Sequence, residues 1–242
     1  STLVGKLDFD SFTIRINDRR FLKAMAAYSG FEEKGYDSVF ITLDKMDKIG
    51  IDGVAEELKE NGYAEESVEK YLALFKEITD GVEGVRKCKE KLEGYLAPEA
   101  ADSLEMIITS VESQKEARFK MRFDPTLVRG MSYYTGTIFE ISMDEFGGSV
   151  GGGGRYDEMI GKFTGQDTPA VGFSIGFERI VMLLLERGYH VPSGRPKKAF
   201  LLEKKLSQDK LCEVLAQARE ERTAGNQVMI VNMKKNKKFQ KE

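Results

Sequence analysis

The sequence predicts an α+β protein, and three observations carry that reading. Apolar and polar residues alternate with the period of a half-buried strand across 119–124 and again across 137–143. From about residue 35 to residue 116 the pattern changes to helix after helix, rich in Glu and Lys. Past Pro196 the order strand, helix, strand reads as the start of a separate α/β module.

Taken in order, residues 12–16 (FTIRI) read as a strand. Asn17 is expected to cap a helix that carries Phe21, Leu22, Met25 and Tyr28 and ends at Gly30. In the helical region, Val68, Tyr71, Leu72, Phe75 and Ile78 form one apolar stripe, and Leu104, Ile107, Ile108 and Val111 another. Gly50, Gly53, Gly62, Gly81 and Gly94 fall between these stripes or near their edges. No catalytic constellation stands out among the helices.

Phe119, Met121 and Phe123 then alternate with Lys120, Arg122 and Asp124. In the next strand Thr137, Phe139, Ile141 and Met143 take one face and Ile138, Glu140 and Ser142 the other. A third strand spans 170–175, where Gly172 and the following Gly176 imply a close approach to the backbone. Residues 177–185 read as a helix with Ile180, Leu183 and Leu184 on one side, placing Arg179 in the first turn of a buried helix. A Pro- and Gly-containing stretch at 191–196 reads as a linker. Lys198 opens a strand, Ser207 caps a helix that Gly225 stops, and 228–231 forms another strand. The lysine-rich run 233–242 reads as a solvated end or a phosphate-binding tail.

The 242 residues are 41% hydrophobic and 32% charged, enough for a sizeable core and one or two domains. A net charge of −3 gives no overall field for nucleic acid, so any RNA contact must come from local patches. Cys88 and Cys212 lie far apart in helical segments, no apolar run approaches membrane length, and no signal peptide is visible, which together fit a reduced, cytoplasmic setting. His190 is the only histidine, so a multi-histidine zinc site is excluded.

Arg179 is the residue that asks most of its surroundings. A guanidinium stays charged in proteins, and burying it without an anion costs several kcal/mol, on the order of an unpaired buried ion. Glu178 or Glu140 would answer that need as a salt bridge; a phosphate held by the planar fork would answer it as a ligand. The glycine-rich stretch 151–154 is neither a P-loop nor a dinucleotide fingerprint, because GxxxxGK[ST] and a GxGxxG leading to an acidic strand end are both missing.

Residues 129–140 (RGMSYYTGTIFE) resemble the histidine-binding signature of histidyl-tRNA synthetases, Arg-Gly-(Leu/Met)-x-Tyr-Tyr-Thr-Gly-Thr-x-Phe-Glu. Gly152-Gly153-Gly154-Arg155-Tyr156-Asp157 is similar to the glycine-rich strand and turn of that family, and 169–179 (PAVGFSIGFER) to motif 3 of class II aminoacyl-tRNA synthetases. Three motifs in family order are a specific signal, and the resemblance covers nearly the whole chain. Ser132 departs from it, standing where many members have Asp.

The resemblance implies part of a class II antiparallel-sheet catalytic domain at 1–44 and 116–193, a helical insertion domain at 45–115 near the tRNA acceptor end, and the start of an anticodon-binding α/β domain at 194–242. It implies that Arg129 is catalytic, bridging the histidine carboxylate and the α-phosphate of ATP. Tyr133, Tyr134, Tyr156 and Gly153 would line the histidine pocket, with Gly152, Gly153 and Gly154 leaving room for ligand. Arg179 and Gly176 would bind ATP, with Mg²⁺ arriving on the nucleotide and no dedicated protein metal site. Arg155 and Asp157 are expected to pair with each other.

The implied partners are L-histidine, ATP and tRNA(His), in a cytoplasmic homodimer without membrane contact. Motifs 1 and 2 are not found before Phe12, so the 242 residues alone are expected to be inactive. The insertion is expected to be removable without loss of adenylate formation. The alternative function is a histidyl-tRNA synthetase-like regulatory or sensor protein without ligase activity, which would be free to lose the arginines.

Overall fold

The computed structural model describes residues 2–9, 11–128, 133–190, 195–203 and 206–233. The chain divides into two compact units, 1–187 and 188–242. The elements of the first are α1 (Thr2–Gly5), β1 (Phe12–Asp18), α2 (Arg19–Tyr28), α3 (Tyr36–Leu43), α4 (Met46–Glu60), α5 (Glu65–Glu77), α6 (Gly81–Lys91), α7 (Pro98–Ser113), β2 (Phe119–Phe123), β3 (Thr137–Met143), β4 (Gly148–Arg155), α8 (Asp157–Thr164), β5 (Val171–Ile175) and α9 (Phe177–Glu186). The second holds β6 (Lys197–Leu202), α10 (Gln208–Thr223) and β7 (Gln227–Asn232). No helix among the described residues is long and apolar enough to cross a membrane.

The five strands of the first unit form one sheet in the order β2-β1-β3-β4-β5. All neighbours are antiparallel except β1 and β2, which run parallel with Phe12 opposite Phe119 and Ile16 opposite Phe123. A parallel pair needs a long crossover, and the helices α2 to α7 supply it. Two adjoining cores cover the sheet. One joins Ile16, Phe123 and Ile138 to the helices through Phe21, Leu22, Met25, Leu58, Tyr71 and Leu104. The other packs Phe12, Phe119, Ile141, Met143 and Val150 against Val4, Ile180 and Leu183. Ile138 is fully buried on the face that alternation marks as the more polar one, because helices cover what a half-exposed strand would leave wet.

The start of α2 differs from the sequence expectation by one residue. Strand pairing continues through Asn17 and Asp18, which oppose Ile138 and Thr137. Asp18 is the cap, its carboxylate accepting from the backbone N of Arg20 at 2.9 Å. Asn17 is wholly buried and donates from Nδ2 to the carbonyls of Leu127 (3.1 Å) and Pro125 (3.3 Å). It thereby ties the end of β1 to the segment that follows β2.

The helices do not stand off from the sheet as a separate body. Phe31, just past α2, meets the Tyr63 and Tyr71 rings edge-on at 5.2 and 5.3 Å. Phe21 meets Phe123 of β2 at 5.5 Å. Inside α4, Gly50 takes φ 71°, a left-handed conformation that breaks the helix into two segments and that glycine adopts at least cost. At the opposite edge of the sheet, β5 has no strand beyond it among the described residues, and Val171 and Phe173 are mostly exposed.

In the second unit β6 and β7 pair in parallel, Lys197 opposite Gln227, with α10 as their connection. Ser207 caps α10 by accepting from the Lys210 backbone, and Gly225 follows its end at φ 90°, both as the sequence implies. The lysine-rich tail from 234 onward lies outside the described residues.

Candidate active site

The three tyrosines singled out by sequence come together. The Tyr133 and Tyr134 ring centroids are 4.7 Å apart, Tyr133 meets Tyr156 edge-on at 5.8 Å, and Tyr134 lies 6.4 Å from Tyr156. Two connections deliver them. Tyr133 and Tyr134 precede β3, and Tyr156 sits between β4 and α8, its backbone N donating to the Ala170 carbonyl at 2.9 Å. Tyr134 is buried and Tyr133 is 37% exposed, so one hydroxyphenyl group faces the core while its neighbour opens to solvent.

The glycines of β4 explain the tyrosine geometry, and the reason differs from the one expected. A Cβ on Gly154 would stand 2.7 Å from the Tyr134 ring and 2.8 Å from the Thr137 carbonyl. On Gly153 it would meet the Gly172 carbonyl at 2.1 Å and Phe173 at 2.7 Å. The space these residues leave is therefore filled by Tyr134 and by β5, not held open for a ligand. Arg155 and Asp157 pair as expected: Arg155 Nε donates to Asp157 Oδ2 at 2.6 Å, while Asp157 Oδ1 accepts from the Ala170 backbone at 2.7 Å.

Arg179 occupies the first turn of α9, as the pattern implies, but the expectation that it is buried is corrected. Only the Ile180 and Leu183 side of α9 is enclosed; Arg179 is exposed. Its guanidinium donates to the Ser149 carbonyl and lies 5.6 Å from the Phe146 ring. Gly176 caps α9, but its N–H already donates to the Val150 carbonyl at 2.8 Å. The absence of a side chain there lets the Arg179 stem cross, since a Cβ would sit 3.1 Å from Arg179 Cδ. Arg179 borders a cleft of about 450 Å³ that also takes in Arg15, Glu140, Leu127 and Val128.

Arg129 and its neighbours Gly130, Met131 and Ser132 lie outside the described residues. The chain on either side is informative. Val128 lines the Arg179 cleft, and Tyr133 lines a second cavity with Tyr134. In sequence, residues 129–132 separate Val128 at this cleft from Tyr133.

Arg15 is the member of this region that sequence reasoning missed. Its Nε donates to Asp124 Oδ2 at 2.7 Å, and its Nη1 lies 2.8 Å from Asp47 Oδ2 and 3.5 Å from Glu140 Oε1. Glu140, weighed as a partner for Arg179, thus lies against Arg15. The only local signal was a charged residue alternating with Ile14 and Ile16, and the partners come from three distant places in the chain. Asp124 also accepts from Thr126 at N (3.0 Å) and Oγ1 (2.6 Å). Burial opposes the Asp124 charge, but Arg15 and the hydrogen bonds outweigh it and hold the carboxyl below its usual range.

A folded-state value below the unfolded one means stability that is present above about pH 4 and lost as pH falls through the lowered folded value. Asp124→Asn is expected to cost about 2 to 4 kcal/mol at neutral pH, because it leaves Arg15 without its closest carboxylate. Denaturant melts of both proteins at neutral pH and in acid should converge as the pH drops. A gap that persists unchanged into acid would show that the Asp124 charge does not stabilise the fold.

A profile of the histidyl-tRNA synthetase family matches residues 2–180. The chain is 46% identical over 180 residues to the histidine–tRNA ligase of Leifsonia xyli subsp. xyli, covering 71% of this chain and 41% of that protein. It is 36% identical over 197 residues to the corresponding ligase of Aeropyrum pernix, covering 77% and 42%. The chain therefore spans about two fifths of the length of these relatives. Among solved structures, the histidyl-tRNA synthetase of Nostoc sp. PCC 7120 superposes with a TM-score of 0.68 at 26% identity, over 99% of this chain and 56% of that one. A Bacillus halodurans protein described as an ATP phosphoribosyltransferase regulatory subunit/histidyl-tRNA synthetase shares the fold at TM-score 0.64 and 21% identity, over 98% and 59%.

Proposed function

The chain belongs to the histidyl-tRNA synthetase family, and from that premise we propose that the protein activates histidine with ATP and transfers it to tRNA(His). The observation that carries the reading is the gathering of Tyr133, Tyr134 and Tyr156 at one end of the sheet; the exposed Arg179 borders a cleft lined by Val128, the residue before Arg129 in sequence. A phenol offers an imidazole both a ring face and a group that donates or accepts, so the tyrosines suit the histidine side chain. Gly153 supports the pocket indirectly, by letting β5 pack close against β4 where a side chain would stand.

In this reading Arg129 lies between the histidine carboxylate and the α-phosphate, and Arg179 takes the distal phosphates. Both act as positioned cations against charge that develops on phosphorus. Arg179 can do so because it is exposed and held by a carbonyl, which leaves its positive charge unneutralised by that contact. Gly176 supports the Arg179 stem without binding phosphate directly. Mg²⁺ would arrive on the nucleotide and supply charge neutralisation at the phosphates. Asp47 and Glu140, the carboxylates nearest Arg15 in the cleft, are engaged by it, which suits a metal held mainly by phosphate oxygens. The residues 45–115 form the helical insertion, 194–242 begin the anticodon-binding domain, and the protein works as a cytoplasmic homodimer.

Histidine-dependent exchange of pyrophosphate into ATP, measured against the other amino acids on a chain that carries motifs 1 and 2 together with these residues, tests the reading. Tyr134→Phe is expected to raise the KM for histidine by roughly five- to fiftyfold with kcat changed far less, as loss of one hydrogen bond in a pocket implies. Exchange indifferent to histidine would instead favour a regulatory member of the fold.

A further inference from the structure

Arg19, the first residue of α2, is a buried cation with an unmet hydrogen-bonding group. Its side chain is only 7% exposed, and its Nε has no hydrogen-bond partner among the described residues. The one carboxylate within 4 Å among the described residues is Asp37, 3.9 Å from Nη2 and itself 78% exposed. The Phe40 ring lies 5.1 Å from its guanidinium carbon, a contact that satisfies no N–H. Burial lowers the Arg19 pKa further than Asp37 raises it, which states the same deficit electrostatically. The next residue makes the contrast plain, because Arg20 donates to both Asp18 oxygens at 2.8 and 2.9 Å.

Arg19 lines a cavity of about 340 Å³. Lys23 and Lys162 stand at its exposed rim, and neither has an ion-pair partner among the described residues. Glu33, Asp37 and Glu158 share that rim, so its charges nearly cancel in solvent, while the enclosed guanidinium dominates the floor. Tyr133 forms part of the wall and is 37% exposed.

We propose that this cavity binds a phosphate group, with Arg19 donating from the floor and Lys23 and Lys162 closing over it from the rim. The planar fork matches two phosphate oxygens, and the cavity has room for the group that carries the phosphate. The exposed Tyr133 ring gives a nucleobase a stacking surface, so the ester is a nucleotide unit, either free or within an RNA strand. The site goes beyond the amino-acid activation proposed above and shares only the tyrosine wall with it.

The test measures binding on the intact protein, not turnover. Inorganic phosphate and a short single-stranded RNA are titrated at constant ionic strength, with affinities of every variant measured by calorimetry and, where Arg19 is present, its Nε–H resonance followed as well. Both probes should shift that resonance, and Arg19→Met should weaken both by about tenfold or more, the factor expected for hydrogen bonds to a charged group. Exchanging a buried charge for an apolar side chain of similar length is compatible with folding. Should Arg19→Met fail to fold, Lys162→Ala at the exposed rim is expected to weaken binding roughly two- to fivefold, the size of a partly exposed charge contact. Shifts with RNA that exceed those with phosphate identify the strand as the source, and shifts with phosphate alone identify a free ester. A resonance unmoved by either probe, or equal binding by Arg19→Met, overturns the site.

Discussion

Arg129→Ala, made in a chain that also carries motifs 1 and 2, is expected to lower histidine-dependent pyrophosphate exchange by on the order of a hundredfold or more while leaving the melting temperature nearly unchanged. The two halves of that expectation have separate physical grounds. A cation placed where negative charge builds contributes mainly to the transition state, so its loss appears in kcat as well as in kcat/KM. The fold should be spared because a cation that serves a ligand is not part of apolar packing, and the cores of the described residues are joined by side chains such as Phe21, Leu58, Phe123 and Ile138 in one and Phe12, Ile141 and Leu183 in the other. Arg179→Ala makes a useful partner, since loss of a contact to the distal phosphates should fall chiefly on the KM for ATP. Exchange by Arg129→Ala at close to the wild-type rate would remove this residue from the role proposed for it.

Deleting residues 45–115 is expected to abolish cooperative folding of the first unit. The sequence reading treats that region as an insertion whose removal spares adenylate formation, and the packing argues otherwise. Val54, Leu58, Val68, Tyr71 and Leu104 are at 0% exposure in the same core as Phe21, Leu22 and Met25 of α2, and the core continues to Phe123 and Ile138 in the sheet. Each large apolar side chain so enclosed contributes about 1.5 to 3 kcal/mol, so losing only a handful matches the roughly 5 to 15 kcal/mol by which a domain is stable. Circular dichroism should show a broad, early melt for the deletion. A sharp transition at the parent temperature, with exchange retained, would establish the helices as a detachable body.

How far the sequence carries can be followed residue by residue. The alternation at β2 and β3, the stripes of α5 and α7 and the Arg155–Asp157 pair were all legible, because each is set by side chains close together in the chain. Asp18 displaced Asn17 as the cap because β1 extends as far as its partner β3 pairs with it. The burial of Arg179 was overestimated, since periodicity fixes which residues share a helix face but not how much of the helix is covered. The tyrosine cluster was legible through its motif, whereas Arg15 and Arg19 were not singled out. One is answered by Asp47, Asp124 and Glu140 from distant segments, and the other is notable for the partner it lacks.

The parallel pairing of β1 with β2 bears on the order in which the chain acquires its structure. These neighbours are separated by about a hundred residues, and β3 follows later still, so β1 leaves the ribosome well before either strand it bonds to. At the usual pace of translation, roughly 5 to 20 residues per second, that interval lasts several seconds, far longer than a helix needs to form. The helices can therefore assemble around α2 first, holding β1 at the margin of a partly built core until β2 and β3 arrive. Contacts so distant in sequence slow the final closure, and during the wait an extended apolar segment is open to association with other nascent chains.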